Sequence, residues 1–281
     1  MSNRPLPEDP MVRSLIKMAK KSQLSRRSFL AGAGGSAVAL GLAACASDSE
    51  LVAAEDISAT DKTLNWSNWP FYIDEDDDGN YPTLDRFQEQ TGIAVNYMVD
   101  YDDNNTYYAK VRDQLQLGQD IGADIVVPTE WMASRWGQMG FVQELNEANV
   151  PNKVNVVDSL ANPDWDPGRK KSLPWQGGFA GLAYNVDKVG EIRTVEDLWA
   201  PELKGRVVVL SEMRDTVGIL MMANGVDISS DWGANEFNKA LDVLREQVEA
   251  GQIRNVRGNS YTEDLVNEDA LVAIGWSGDI T

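Results

Sequence analysis

From residue 64 onward the apolar positions switch repeatedly between a two-residue and a 3.6-residue period. Residues 64–67 predict a short strand, 83–90 a helix closed by Gly92, and 93–98 an alternating strand. Residues 106–117 read as helix up to Gly118; the apolar run 123–127 that follows, ended by Pro128, has the pattern of a buried strand. Runs of the same kind occur at 206–210 and 271–275, and 182–185 predicts one more strand. Phe237, Ala240, Leu241, Leu244 and Val248 recur at i, i+3, i+4, i+7 and beyond, the apolar stripe of a helix that ends at Gly251.

Strands alternating with helices imply an α/β fold with mainly parallel sheets covered on both faces. Two lobes are expected, because the chain after residue 44 exceeds a typical domain of ~100–200 residues. The glycine-rich stretch Gly177-Gly178-Phe179-Ala180-Gly181 is a natural boundary, giving lobe 1 at 63–180 and lobe 2 at 181–281. Its glycines can absorb hinge rotation or simply form a turn. The run 271–276 has no closing helix before Thr281, so lobe 2 is expected to be incomplete and the chain truncated.

The N-terminal region adds an address. Five scattered basic residues precede Ser25-Arg26-Arg27-Ser28-Phe29-Leu30, and an uncharged small-residue stretch then runs to Ala44. This is the pattern of a twin-arginine signal peptide over residues 1–44, which exports proteins already folded. The uncharged stretch is shorter than the roughly 20 residues a spanning helix needs. It ends in Leu42-Ala43-Ala44-Cys45, which resembles the bacterial lipobox and predicts lipidation of Cys45 and anchoring on the outer face of the cytoplasmic membrane or in the periplasm. The polar, acidic segment 45–62 then serves as a tether. A buried structural cysteine is the plainer alternative.

Composition narrows the chemistry. Cys45 is the only cysteine and there is no histidine, which excludes an intramolecular disulfide, Ser-His-Asp and Cys-His catalysis and His-ligated zinc. The chain also lacks a nucleophile elbow and a phosphate loop, so an enzyme is disfavoured. Seven of the 25 basic and two of the 44 acidic residues precede Cys45, leaving 18 against 42, a formal charge of −24. Such a surface repels nucleic acid and attracts cations, although acidity also serves solubility alone.

In open α/β sheets ligands bind beyond the carboxyl ends of the strands. Four predicted strand exits carry Asn68-Trp69-Pro70-Phe71-Tyr72, Pro128-Thr129-Glu130-Trp131, Ser211-Glu212-Met213-Arg214-Asp215 and Trp276-Ser277-Gly278-Asp279. Aromatics with carboxylates suit a linear organic cation: ring faces attract ammonium groups at ~0.5–2 kcal/mol per contact, and carboxylates fix the charged ends. Glu212 and Asp215, three apart, can hold one ammonium together. Taken singly, each tryptophan also fits core packing and each of these acids a helix cap.

At these residues the chain resembles the spermidine/putrescine-binding proteins of bacterial ABC importers. The likeness is carried by Asn68-Trp69 with Tyr72-Ile73, Thr106-Tyr107-Tyr108-Ala109-Lys110, and Asp124-Ile125-Val126-Val127-Pro128-Thr129. It continues through Thr194-Val195-Glu196-Asp197-Leu198-Trp199, Pro201-Glu202-Leu203-Lys204-Gly205, and Ile274-Gly275-Trp276-Ser277-Gly278. The resemblance implies a two-lobed periplasmic-binding-protein fold of type II. It also implies a monomer that captures putrescine or spermidine and hands it to an ABC permease. It implies that Trp69, Tyr72, Thr129 and Trp131 line the ligand box, that Trp276 stacks on the ligand, and that Glu212 and Asp215 receive an ammonium. These two acids stand where the family has an Asp and a Glu, a swap that changes reach. Pro70 replaces a residue that commonly bears a hydroxyl, and family positions supplying a central carboxylate fall after Thr281. A binding protein for another small solute, or a polyamine sensor without transport, shares the same residues.

One motif stands apart from the resemblance. Asp74, Asp76, Asp78, Gly79 and Asp85 have the spacing of a twelve-residue calcium loop, with Asp85 shorter than the usual final Glu. Calcium is the one cofactor this chain suggests; a solvated acidic turn before a helix is the alternative.

Overall fold

A computed structural model describes residues 51–280 of the chain. The twin-arginine segment and Cys45 lie outside the described residues, whereas 51–62 runs without strand or helix and is largely exposed.

Each of the two sheets has its own helices. The first carries strands in the order β2-β1-β3, all parallel, from β1 (Thr63–Asn68), β2 (Ala94–Val99) and β3 (Ile125–Val126). Thr63 pairs with Ala94 and Trp66 with Ile125. Between and after them lie α1 (Pro82–Thr91), α2 (Asn104–Gln116) and α3 (Glu130–Gln138). Proline opens α1, where its missing N–H costs nothing, and Asp103 caps α2 by accepting the Thr106 N–H at 2.9 Å. The core of this lobe is aromatic: Trp69, Tyr101, Tyr107 and Trp136 are buried with Val111 and Met132.

After the irregular stretch that holds the one-turn α4 (Asp158–Ala161), the second sheet has the order β4-β7-β5-β6. Its elements are β4 (Ala180–Tyr184), β5 (Val207–Leu210), α5 (Met213–Ala223), α6 (Ala234–Glu249), β6 (Ile253–Arg257), α7 (Tyr261–Val266), β7 (Val272–Trp276) and α8 (Ser277–Ile280). Val207, Val208, Val209 and Leu210 are at most 1% exposed, and Val272, Ala273 and Ile274 are fully buried. A central parallel strand is covered on both faces, which is why these runs read as continuously apolar.

Three expectations need correction. The run 123–127 is only a two-residue strand, with Ile125 exposed, because it sits at the sheet edge. The sheets are mainly parallel as expected, β4 against β7 being the one antiparallel pair among the described residues. Ala180 and Gly181 of the glycine-rich boundary already pair with Trp276 and Gly275, so those two residues belong to a ladder and not to a free hinge. A helical turn, α8, does follow β7. The pattern also missed β6, α3, α5 and α7. In β6 the two apolar residues, Ile253 and Val256, are three apart and Val256 is exposed, so no two-residue alternation marks the strand.

Candidate functional site

The four inspected strand exits meet: Trp69 touches Trp276, Trp131 bonds to Glu212, and Trp276 bonds to Asp215. Trp69, just beyond β1, is buried, donates its indole N–H to the Val127 carbonyl at 2.6 Å, and stacks near Tyr72 with centroids 6.3 Å apart. Trp276 at the end of β7 meets Trp69 edge-on at 5.6 Å, which joins the aromatic walls of the two lobes.

Glu212 caps α5, its Oε1 accepting the Arg214 N–H at 3.3 Å, while its Oε2 accepts Trp131 Nε1 at 2.8 Å and Asn104 Nδ2 at 3.1 Å. One side chain thus caps a helix and also accepts two donors from the first lobe. Asp215, in the first turn of α5, accepts Trp276 Nε1 at 2.6 Å. A third acid joins them: Asp279 Oδ2 accepts Tyr261 Oη at 3.0 Å and Asn259 Nδ2 at 2.9 Å.

These three carboxylates share an electrostatic condition. Burial pushes each above its ordinary range, outweighing the donors that favour the charged form: Trp131, Arg214 N–H and Asn104 at Glu212, Trp276 at Asp215, and Tyr261 with Asn259 at Asp279. Asp215 raises Glu212 further by like-charge repulsion. Burial, and then the charge of Asp279, also push the Tyr72 hydroxyl up. Among the described residues, no ion pair within 4.0 Å involves Glu212, Asp215 or Asp279. The donors they do have are neutral, so three partly desolvated carboxylates stand beside aromatic rings with no ion-pair partner within 4.0 Å among the described residues.

Two of the expected lining residues are placed differently. Thr129 precedes α3 and offers its backbone N–H to Asn104 Oδ1 at 3.0 Å, while its hydroxyl is buried without a hydrogen-bond partner. The Trp131 ring carries the Arg214 guanidinium at 4.2 Å and that of Arg135 at 5.4 Å. Its indole edge positions Glu212, and cations of the protein itself already lie over the ring.

The acidic loop does not gather. Asp74 accepts the Thr83 N–H at 3.0 Å, and Asp76 accepts the N–H groups of Asp78 at 3.0 Å and Asn80 at 2.8 Å. This keeps Asp76 below the ordinary carboxylate range, chiefly through Asn80. Among the described residues, no group of three or more acids is arranged to hold a metal ion, and Asp78 and Asp85 are no exception.

Inspecting strand exits missed Asn104, Asn259 and Tyr261. The signal for Asn104 was available, because it lies in the exit from β2, Asp100-Tyr101-Asp102-Asp103-Asn104. Asn259 and Tyr261 follow β6, which the pattern did not reveal. Tyr261 reaches the site because Gly275 gives it room. A Cβ there would lie 2.7 Å from the Tyr261 ring, whose hydroxyl accepts the Trp276 N–H at 2.9 Å.

Comparison with known proteins places this arrangement. The putrescine-binding periplasmic protein PotF of Escherichia coli (strain K12) is 30% identical over 239 residues, covering 80% of this chain and 60% of its own. The spermidine/putrescine-binding periplasmic protein 1 of Haemophilus influenzae is 28% identical over 240 residues, with 78% of this chain and 64% of the relative covered. Among solved structures, the spermidine/putrescine ABC transporter substrate-binding protein PotD of Streptococcus pneumoniae, in complex with calcium and HEPES, matches with a TM-score of 0.57. It is 25% identical, and the match covers 78% of this chain and 63% of that one. The Tp0655 lipoprotein of Treponema pallidum shares the fold at a TM-score of 0.62, with 23% identity over 76% of this chain and 64% of its own. The chain thus spans less than two thirds of the length of these relatives. Residues 83–281 match the bacterial extracellular solute-binding protein family, a family of binding proteins and not of enzymes, and the chain belongs to it.

Proposed function

We propose that the protein captures a short linear polyamine of the putrescine or spermidine class outside the cytoplasm and delivers it to an ABC permease. The observation that carries this reading is the trio Glu212, Asp215 and Asp279. Each is pushed up by burial, each is held by neutral donors, and none has an ion-pair partner among the described residues. An ammonium supplies the missing charge, and Trp276, Trp69 and Tyr72 offer aromatic surface for the methylenes between ammonium groups. Names of relatives support the same ligand class. Closure of two lobes around the ligand would follow from differential affinity for the closed arrangement. A lipid on Cys45 would hold the receptor near its permease, and stable retention asks for more than one acyl chain.

Calorimetry on the complete exported protein with putrescine, spermidine and a neutral diol of matching length tests the ligand class. Both amines, or one of them, should bind while the diol does not. A diol that binds as tightly as the amines would remove the carboxylates from the explanation and point to another small solute.

A further inference from the structure

We propose that Asn104 is a positioning residue of this site, bridging the start of α3 to the Glu212 carboxylate so that one carboxylate oxygen is pinned and the other is left to face the ligand. Asn104 opens α2 and is only 2% exposed. A buried amide in a first helical turn is costly unless its donors and acceptor are matched, and alanine would be the better helix former. The match here is specific. Oδ1 accepts the Thr129 N–H at 3.0 Å, which settles which end of the amide is oxygen, and Nδ2 consequently points at Glu212 Oε2, 3.1 Å away. Trp131 Nε1 reaches the same oxygen at 2.8 Å. Oε2 is thus filled by two donors from the first lobe, whereas Oε1 accepts only the Arg214 N–H and keeps a lone pair.

The neighbours of Asn104 explain why it sits so firmly. Asp102 accepts the Asn259 N–H through its carbonyl and the Ser260 N–H through Oδ1, both at 2.8 Å, and Asp103 Oδ2 accepts the Ser211 hydroxyl at 2.6 Å. Residues 102–104 therefore form a strap from the first lobe across two loops of the second, at 211–212 and 259–260, and within it Asn104 alone contacts a carboxylate of the site. The charged groups around Glu212 are Asp215 and Arg214 from α5, Asp103 from the start of α2, and Arg135 over the Trp131 ring. The ligand-facing half of this inference rests on the polyamine reading; the positioning half does not.

The test follows the Glu212 carboxyl carbon by NMR titration in the ligand-free complete protein, with putrescine calorimetry alongside. Loss of a donor to the charged form should make Glu212 titrate at higher pH in Asn104→Ala, and Asn104→Asp, which adds a like charge, should move it further in the same direction. Putrescine affinity should fall about tenfold in Asn104→Ala, and that fall should vanish when Glu212 is already Gln. An unchanged Glu212 titration in both variants, or an equal loss of affinity in the Glu212→Gln background, overturns the proposal. If the unmodified protein binds neither putrescine nor spermidine, the polyamine reading fails, while the titration still decides the role of Asn104.

Discussion

Asp215→Asn should change ligand-free stability and ligand affinity in opposite directions. The substitution keeps the shape of the side chain, and Asn can still accept Trp276 Nε1, which now lies 2.6 Å from Asp215 Oδ2. What it removes is a half-buried charge that burial makes unfavourable, the effect of burial exceeding that of the Trp276 bond. A carboxyl whose folded pKa is raised contributes stability that is fully present below its unfolded pKa, near 3.9, and is lost as pH rises through the folded value. At neutral pH the ligand-free variant should therefore melt higher than the parent, and the gap should close toward pH 4. Other acids pull the other way: Asp76, Asp197 and Asp227 are lowered by local hydrogen bonds, but they are common to both proteins and cancel in the difference. With an ammonium bound the sign reverses. Removing one partner of a desolvated charge pair costs about 2–5 kcal/mol, and because Asp215 is only half-buried the lower part, about 2–3 kcal/mol, applies. That corresponds to a roughly 30- to 150-fold weaker Kd for putrescine. Differential scanning fluorimetry from pH 4 to 8 and calorimetry read the two halves. A variant that melts lower at pH 7, or that binds putrescine within about threefold of the parent, would refute the reasoning.

Three further expectations concern other parts of the chain. Gly258→Ala places a Cβ 1.9 Å from the Asp102 carbonyl oxygen, where contacts under 3.0 Å are essentially never seen, so the strap must lift by about 1 Å. Losing its bonds to Asn259 and Ser260 costs about 2–4 kcal/mol, which should appear as weaker ligand binding and a larger radius of gyration in solution scattering; an unchanged radius and affinity would show that the contact is dispensable. Calcium at the acidic loop would require Asp74 to release Thr83 and Asp76 to release Asn80, and a melting temperature that rises with millimolar calcium in the parent but not in Asp76→Ala is the result that would establish such a site. Cys45→Ser should move the exported protein from the membrane fraction to the soluble one, and retention at the membrane would count against lipidation.

Much of this protein is legible from its chain alone because the signals are local. The valine run of β5 and its counterpart in β7 announce fully covered strands, and Gly92 and Gly251 mark helix ends. Aromatic and acidic residues at strand exits are local too, since the exit rule needs only the strand. The tertiary structure decided the rest, where partners lie far apart in sequence. Glu212 is held by Asn104, 108 residues earlier, and by Trp131, 81 residues earlier. No spacing rule links them, because the contact exists only once the two lobes pack together. Tyr261 matters through the space above Gly275, and the Asp102 strap through the missing side chain of Gly258, both properties of packing. Spacing also says nothing of local partners: the calcium-like loop has the right intervals, and nearby backbone N–H groups engage Asp74 and Asp76. Local pattern therefore chose the elements and the chemistry available at their ends, and the packing of the two lobes decided which of those groups come together and which hold them in place.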